Sequence, residues 1–545
     1  MRWRKLALLL LMILLGGLVR AFPAEAVVSD GPCSSTASGD FNGDGFGDLA
    51  VGVPDEDVGS VPDGGAVHVI YGSASGLDAA NNQLWTQNTE GVNGATETSD
   101  RFGACIAVGN FNGDTNAGKR IDDLAIGVPG EDLDGVVNAG AVNVIYGSKS
   151  GDGRLSTTQI SDQIWSQNYE GVEDVAESGD VFGNALAAGD FNGDGKDDLA
   201  IGAPLENLGS LGDAGLVHVV YGTEAGLHPT GDQIWHQNSS GVEGVAEGGD
   251  RFGSALTAGF FNNDAREDLA IGVAGENIGS VVDAGAVNVL YGASPRITSS
   301  GDQVFSQNTT GVTDDAEAND FFGRSLAAGD FGGTAQDDLA IGVPGEDLTS
   351  PTRADAGAVQ IIPGAAGGLV AASDPLITQD AILSTPDTSE ATDGFGSSLA
   401  AANVGESGLF DLAIGTPFED DGASNAGAVD VLYGTATGLN LSAGAPAADF
   451  LQQGVGGIDD SREADDAFGA SLTPGNFDGG STPFDLAIGA PLEETGVPLN
   501  SGAVVVVYGA ANGLDAAGPP ADQLWQQGGT ILDALEAEDM FGSAA

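Results

Sequence analysis

The chain has 545 residues, of which 88 are glycine, 41% are hydrophobic and 6% are aromatic. That apolar content excludes a disordered chain, and the glycines do not fall at every third position as collagen requires. Lys and Arg number 16 against 80 Asp and Glu, a formal charge of −64 that repels nucleic-acid phosphates and anionic lipid and favours divalent cations or basic partners.

The N-terminus reads as an export signal. Arg2, Arg4 and Lys5 precede an uncharged apolar run from Leu6 to Val19, and Ala24-Glu25-Ala26 offers a cleavage site. Residues 1–26 are therefore expected to be a signal peptide, an uncleaved anchor being the other reading of Arg20. Without them the formal charge becomes −67, since four basic residues and one acidic one leave. No second long apolar run follows, so no membrane insertion is expected after cleavage. Cys33 and Cys105 are the only cysteines, and in an exported chain they either form one bridge or stay free.

Beyond the signal the sequence repeats itself. Phe-Gly recurs at Phe102, Phe182, Phe252, Phe322, Phe395, Phe468 and Phe541, at spacings of 80, 70, 70, 73, 73 and 73 residues. An Asp-Leu-Ala-hydrophobic-Gly segment starts at Asp48, Asp123, Asp198, Asp268, Asp338, Asp411 and Asp485. Tyr-Gly follows at Tyr71, Tyr146, Tyr221, Tyr291, Tyr433 and Tyr508, with Pro363-Gly364 in the fifth unit.

Each unit reads as four short strands. In the third they are Ala185–Ala188, Leu199–Ala203, Leu216–Tyr221 and Gln233–Gln237, bounded by Gly, Asp, Asn and Pro. The second is apolar on both faces, as a strand between neighbouring sheets must be. The expected fold is all-β, a seven-bladed β-propeller of four-stranded antiparallel blades, which leaves only short protected edges. The units are 30–100, 101–180, 181–250, 251–320, 321–393, 394–466 and 467–539. Residues 540–545 are either a closing strand or a partial eighth unit of a longer chain.

The Phe-Gly start, the Gly39–Gly45 and Gly189–Gly195 loops and the Gly202-Ala203-Pro204 ending resemble FG-GAP repeats. Such repeats build the N-terminal propeller of integrin α chains, and similar ones occur in glycosylphosphatidylinositol-specific phospholipase D. The resemblance implies a seven-bladed propeller with calcium loops on one face and ligand contacts elsewhere. It does not imply an integrin β partner.

The loops carry the metal expectation. Asp40, Asn42, Asp44 and Asp48 stand at positions 1, 3, 5 and 9, and the Phe46 carbonyl adds an oxygen at position 7. Hard oxygens in this pattern suit Ca²⁺. Asp190, Asn192, Asp194, Lys196 through its carbonyl and Asp198 repeat the set. Loop two offers Asn110, Asn112, Asp114 and Asp123 with five extra residues, and loop four offers Asn262, Asp264 and Asp268 but has Phe260 at position 1. Loops five and six carry Gly332, Thr334, Gly405 and Ser407 where ligands belong, and loop seven is lengthened. In all of them Asp and Asn can also simply make turns.

Two further acidic patterns recur in every unit. Glu97/Asp100, Glu177/Asp180 and their equivalents precede each Phe-Gly, while Glu56, Glu131, Glu206, Glu276, Glu346, Glu419 and Glu493 follow the second strand. Sevenfold repetition argues for capping turns or bonding across blades rather than for a glycosidase pair. His68 and His218 share a strand slot with Asn143, Asn288 and Gln360 and are expected at the surface. The chain lacks a Gly-x-Ser-x-Gly elbow, a His-Glu-x-x-His motif and a phosphate-binding loop. The functional expectation is a secreted or cell-surface, calcium-binding, non-catalytic binding or adhesion module for an extracellular protein or glycan. The alternative is a calcium-stabilised secreted propeller hydrolase, active on phospholipid or glycan, whose site lies on the non-repeated stretches Gly151–Ile160 or Leu439–Asp449.

Overall fold

The computed structural model describes residues 33–543 except 149–153, 173, 350–351, 372–375, 386–387, 406–407, 443–446, 481–482, 495–499 and 511–512. The expected signal peptide and Ser407 therefore lie outside the described residues.

Seven four-stranded antiparallel sheets follow one another along the chain, each a simple meander with strands in sequence order. In the third blade the strands are Ala185–Gly189, Asp198–Ala203, Leu216–Thr223 and Gly226–Trp235. The fourth starts earlier than its apolar residues suggest, because a hairpin extends it back to Gly226. The first strands, from Thr36–Gly39 in blade one to Ser471–Gly475 in blade seven, each touch the first strand of the next blade, and the last touches the first. The molecule is a closed seven-bladed β-propeller.

Its core lies between the blades rather than inside them. All seven second strands are buried along their whole length. Seven apolar clusters each combine side chains from two adjacent blades. A strand sandwiched in this way buries both faces, which explains the unbroken Leu-Ala-Ile-Gly pattern. The same geometry corrects the expectation for the histidines. His68 and His218 are fully buried because their strand slot faces the layer between blades, where they lie against Phe541 and Phe182 at ring separations of 5.6 and 5.2 Å. Burial pushes the His68 imidazole down to about 3.

The Phe-Gly pair is the hinge between blades. Gly183 donates its N–H to the Gly202 carbonyl in its own blade at 3.0 Å. Its own carbonyl presses so closely on Gly127 of the preceding blade that a β-carbon there would clash. Blade one has no Phe-Gly of its own in sequence. Phe541-Gly542 supplies it: Gly542 N–H reaches the Gly52 carbonyl at 3.2 Å, and its carbonyl closes on Gly489. Residues 540–543 thus complete blade one and close the ring. Cys33 and Cys105 form a disulfide, with Cα atoms 5.2 Å apart, that ties blade one to blade two.

Candidate functional site

Each candidate loop joins the first strand of a blade to its second, so all seven lie at the same end of the ring. In loop one the Asp40 carboxylate accepts the N–H groups of Asp44 and Gly45 at 3.1 and 2.8 Å, Asn42 Oδ1 accepts Asp44 N–H at 2.8 Å, and Asp44 accepts Phe46 N–H at 2.9 Å. Loop three winds the same way around Asp190, which accepts from Gly193, Asp194 and Gly195, while Asp194 accepts Lys196 N–H at 3.1 Å. These bonds fold each loop back on its own carboxylates.

The ninth-position aspartate has a role common to the repeats. Asp48 accepts the N–H groups of Phe41 and Gly72, each at 3.0 Å, fastening the loop to the end of the third strand. Asp123, Asp268, Asp338, Asp411 and Asp485 make the equivalent pairs of bonds. Asp198 keeps the bond from Gly222 at 2.9 Å and faces the Asn192 amide at 3.1 Å. The aspartate therefore survives in loops five to seven, which have lost other ligand positions, because the backbone needs it.

Loops one and three differ from the rest in placing carboxylates at positions 1, 5 and 9. Burial pushes Asp198 up to about 8, against the bond from Gly222, and the charges of Asp190 and Asp194 raise it further. Asp48 is pushed well up by burial, with Asp40 and Asp44 adding to the effect. An all-oxygen set under mutual repulsion has the chemistry of a calcium loop, and these two loops fit the ion.

Loops two and four carry fewer carboxylates. Asn110 Oδ1 and Asn112 Oδ1 both accept Asp114 N–H, at 3.1 and 2.8 Å, the same turn bonds that Asp40 and Asn42 accept from Asp44 in loop one. The extra residues of loop two form a small hairpin, Thr115–Asn116 against Lys119–Arg120. From it Lys119 donates to the Asp44 carbonyl of loop one, and Arg120 pairs with Asp122 and Asp197. In loop four Asp264 accepts a turn bond from Arg266 and pairs with its guanidinium at 3.3 Å, Asn262 bonds Asp268, and Phe260 projects outward.

The carboxylates that do converge within 4.8 Å come from the other two acidic patterns: Glu177, Asp180 and Glu206; Glu390, Asp393 and Glu419; Asp460, Glu463 and Glu493. At every junction the aspartate before Phe-Gly caps its turn, as Asp466 does for Glu463 N–H at 2.7 Å. The glutamate after the second strand accepts from a glutamine of the preceding blade. The seven pairs are Gln527–Glu56, Gln87–Glu131, Gln167–Glu206, Gln237–Glu276, Gln307–Glu346, Gln379–Glu419 and Gln453–Glu493. Both acidic patterns are thus structural, and the glutamine partner two residues after the tryptophan slot went unread in the sequence.

One junction breaks the symmetry. Elsewhere the tyrosine hydroxyl accepts an N–H from the next blade, as Tyr146 does from Leu227 and Tyr291 from Leu369 at 3.0 and 3.1 Å. Pro363 offers no hydroxyl to blade six. A cavity of about 350 Å³ opens there between Phe331, Asp338, Ile361, Pro363, Ile377 and Leu439.

No helix among the described residues is long and apolar enough to cross a membrane. Residues 34–70, 182–220 and 322–362 match the FG-GAP repeat model. The chain is similar to phosphatidylinositol-glycan-specific phospholipase D of Rattus norvegicus, 35% identical over 163 residues that cover 30% of this chain and 18% of that protein. It is also similar to integrin alpha-5 of Xenopus laevis, 30% identical over 254 residues that cover 46% of this chain and 20% of that one. The chain thus spans about a fifth of the length of these relatives. The BBS1N–ARL6DN crystal structure aligns over 89% of this chain and 91% of that one, at 10% identity and a TM-score of 0.37, too low to bear on function. The chain is a seven-bladed β-propeller carrying FG-GAP repeats, similar to integrin alpha.

Proposed function

We propose that the chain is a secreted, calcium-binding propeller that serves as an extracellular binding or adhesion module and performs no catalysis. The observation that carries this reading is the repeated acidic loop at one end of a closed ring, in which backbone N–H groups wind around Asp190 and Asp40 and the charges of Asp194 and Asp44 act on buried Asp198 and Asp48. In it Ca²⁺ neutralises loops one and three, through Asp40, Asn42, Asp44, Asp190, Asn192 and Asp194 and the carbonyls of Phe46 and Lys196, with Asp48 and Asp198 behind them. The ion fixes the loops and the ring presents them. The apolar leader and the similarity to integrin alpha support an extracellular setting and a protein or glycan ligand.

The test is retention of extracellular-matrix proteins and arrayed glycans on the immobilised chain, with Ca²⁺ and with chelator. Saturable, Ca²⁺-dependent retention without turnover is the expected result. The cavity beside Pro363 favours the second reading, a calcium-stabilised hydrolase with its site near Leu439. Cleavage of a phosphodiester or polysaccharide in the same assay, abolished by Leu439→Trp, would replace the first reading with it.

A further inference from the structure

The junction between blades six and seven holds an arrangement that hydrogen bonding leaves incomplete. Gln453, Asp466 and Glu493 are completely buried there, and Asp460 and Glu463 are partly buried beside them. Each of the five has one polar atom engaged by the chain. Asp460 accepts Ser461 N–H at 2.8 Å, Glu463 accepts Ser461 Oγ–H at 2.7 Å, Asp466 accepts Glu463 N–H at 2.7 Å, and Gln453 donates to Glu493 at 2.6 Å. The other oxygen of each is also shielded from solvent and meets no donor: Asp460 Oδ2, Glu463 Oε2, Asp466 Oδ1, Glu493 Oε1 and Gln453 Oε1.

Ionised oxygens of this kind cannot satisfy one another, and an unpaired buried acceptor costs about 1–3 kcal/mol, more when charged. Asp460, Glu463 and Glu493 nonetheless bring ligand atoms within 4.8 Å of one another. The nearest guanidinium in sequence, Arg462, is turned away onto the Asp421 carbonyl and Gln452 Oε1, each at 2.9 Å. At the junction of blades two and three the equivalent aspartate, Asp174, has His218 Nε2 at 3.7 Å. In blade seven the strand slot of His218 holds Val505, so that partner is absent. The buried Gln453 carboxamide, aimed into the cluster by its bond to Glu493, is a neutral hard ligand beside four carboxylates.

We propose that this junction is a binding site for a divalent cation of the hardness and size of Ca²⁺, held by Asp460, Glu463 and Glu493 with Asp466 and Gln453 behind them. Hard oxygens from carboxylate and carboxamide suit an ion that takes six to eight of them. The site is separate from the loops between first and second strands and does not rest on their binding metal. Its occupant clamps blade six to blade seven, since Gln453 belongs to the one and Glu493 to the other.

The test counts ions on the full chain after chelator treatment, by equilibrium dialysis with radioactive Ca²⁺. Glu493→Gln and Asp460→Asn are each expected to bind one ion fewer than the parent, with unchanged circular dichroism and elution volume. An unchanged count in either folded variant overturns the proposal. Hydrogen exchange on the unsubstituted chain gives a readout that does not depend on the variants folding. Added Ca²⁺ is expected to protect residues 453–466 and 491–494. Protection restricted to residues 40–48 and 190–198 overturns the junction site and leaves the loop sites standing. The converse pattern removes the loop sites and leaves this one.

Discussion

Gln527 Nε2 donates to Glu56 Oε2 at 2.5 Å, joining two residues 471 positions apart and the seventh blade to the first. The same bond crosses the six other junctions at sequence separations of 39 to 44 residues. Replacing the glutamine strands a buried carboxylate. Gln527→Leu and Gln87→Leu should each cost about 1–3 kcal/mol, the penalty for leaving a buried polar atom unsatisfied. Urea denaturation measures this, and an unchanged midpoint would show the bond to be dispensable.

Phe541 is fully buried among Leu49, Val51, Ile70, Val504 and Val506, in the layer between blades seven and one. Phe541→Ala should destabilise the chain by about 3–5 kcal/mol, the usual cost of truncating a core phenylalanine. Chemical denaturation of the folded variant reads it. A loss below about 1 kcal/mol would mean that the closing segment contributes little to ring stability.

The loops separate ion binding from backbone support. Asp44→Asn and Asp194→Asn should each reduce the rise in melting temperature on adding Ca²⁺. Asp338→Asn, in a loop that has lost other ligand positions, should lower stability by about 1–3 kcal/mol equally with and without Ca²⁺, because it disturbs two backbone bonds. Thermal melts in calcium and in chelator distinguish the two behaviours.

The junction glutamates make stability depend on pH. Burial, with neighbouring carboxylates adding to it, pushes Glu131 and Glu276 up to about 7 and Glu346 up to about 9, from an ordinary value of 4.5. The folded chain then holds protons that the unfolded chain releases. Their contribution is present below the unfolded value and is lost as pH rises through the folded values. The melting temperature in chelator should therefore fall from about pH 5 to about pH 9. A rise over that window would contradict the assignment.

The fold was legible because each blade repeats the same local chemistry. The Asp48-type aspartate, the apolar second strand and the Phe-Gly pair mark register without any tertiary information. What the sequence could not reveal is which face of a strand meets the next blade. His68 and His218 read as surface residues, yet the slot they share is the blade interface. Gln453 and Glu493 lie 40 residues apart on different blades, so nothing local links them. The extra residues of loop two read as a mere lengthening, whereas they carry Lys119 onto the backbone of loop one. Loops two and four make the same turn bonds as loops one and three but carry fewer carboxylates, and Arg266 pairs with Asp264 in loop four as Lys196 does with Asp194 in loop three.

The placement of Phe541-Gly542 sets an order on assembly. Blades two to seven can each dock onto the blade made just before, as synthesis proceeds from the N-terminus. Blade one cannot be finished in that way, since its inner strand at Thr36–Gly39 waits for the hinge at Phe541-Gly542, which follows blade seven. Until that hinge arrives the apolar layer between blades seven and one lacks the Phe541 ring. A chain released early, or clipped near residue 540, would present the flanks of Leu49 and Val504 to other molecules, and self-association would be its characteristic failure.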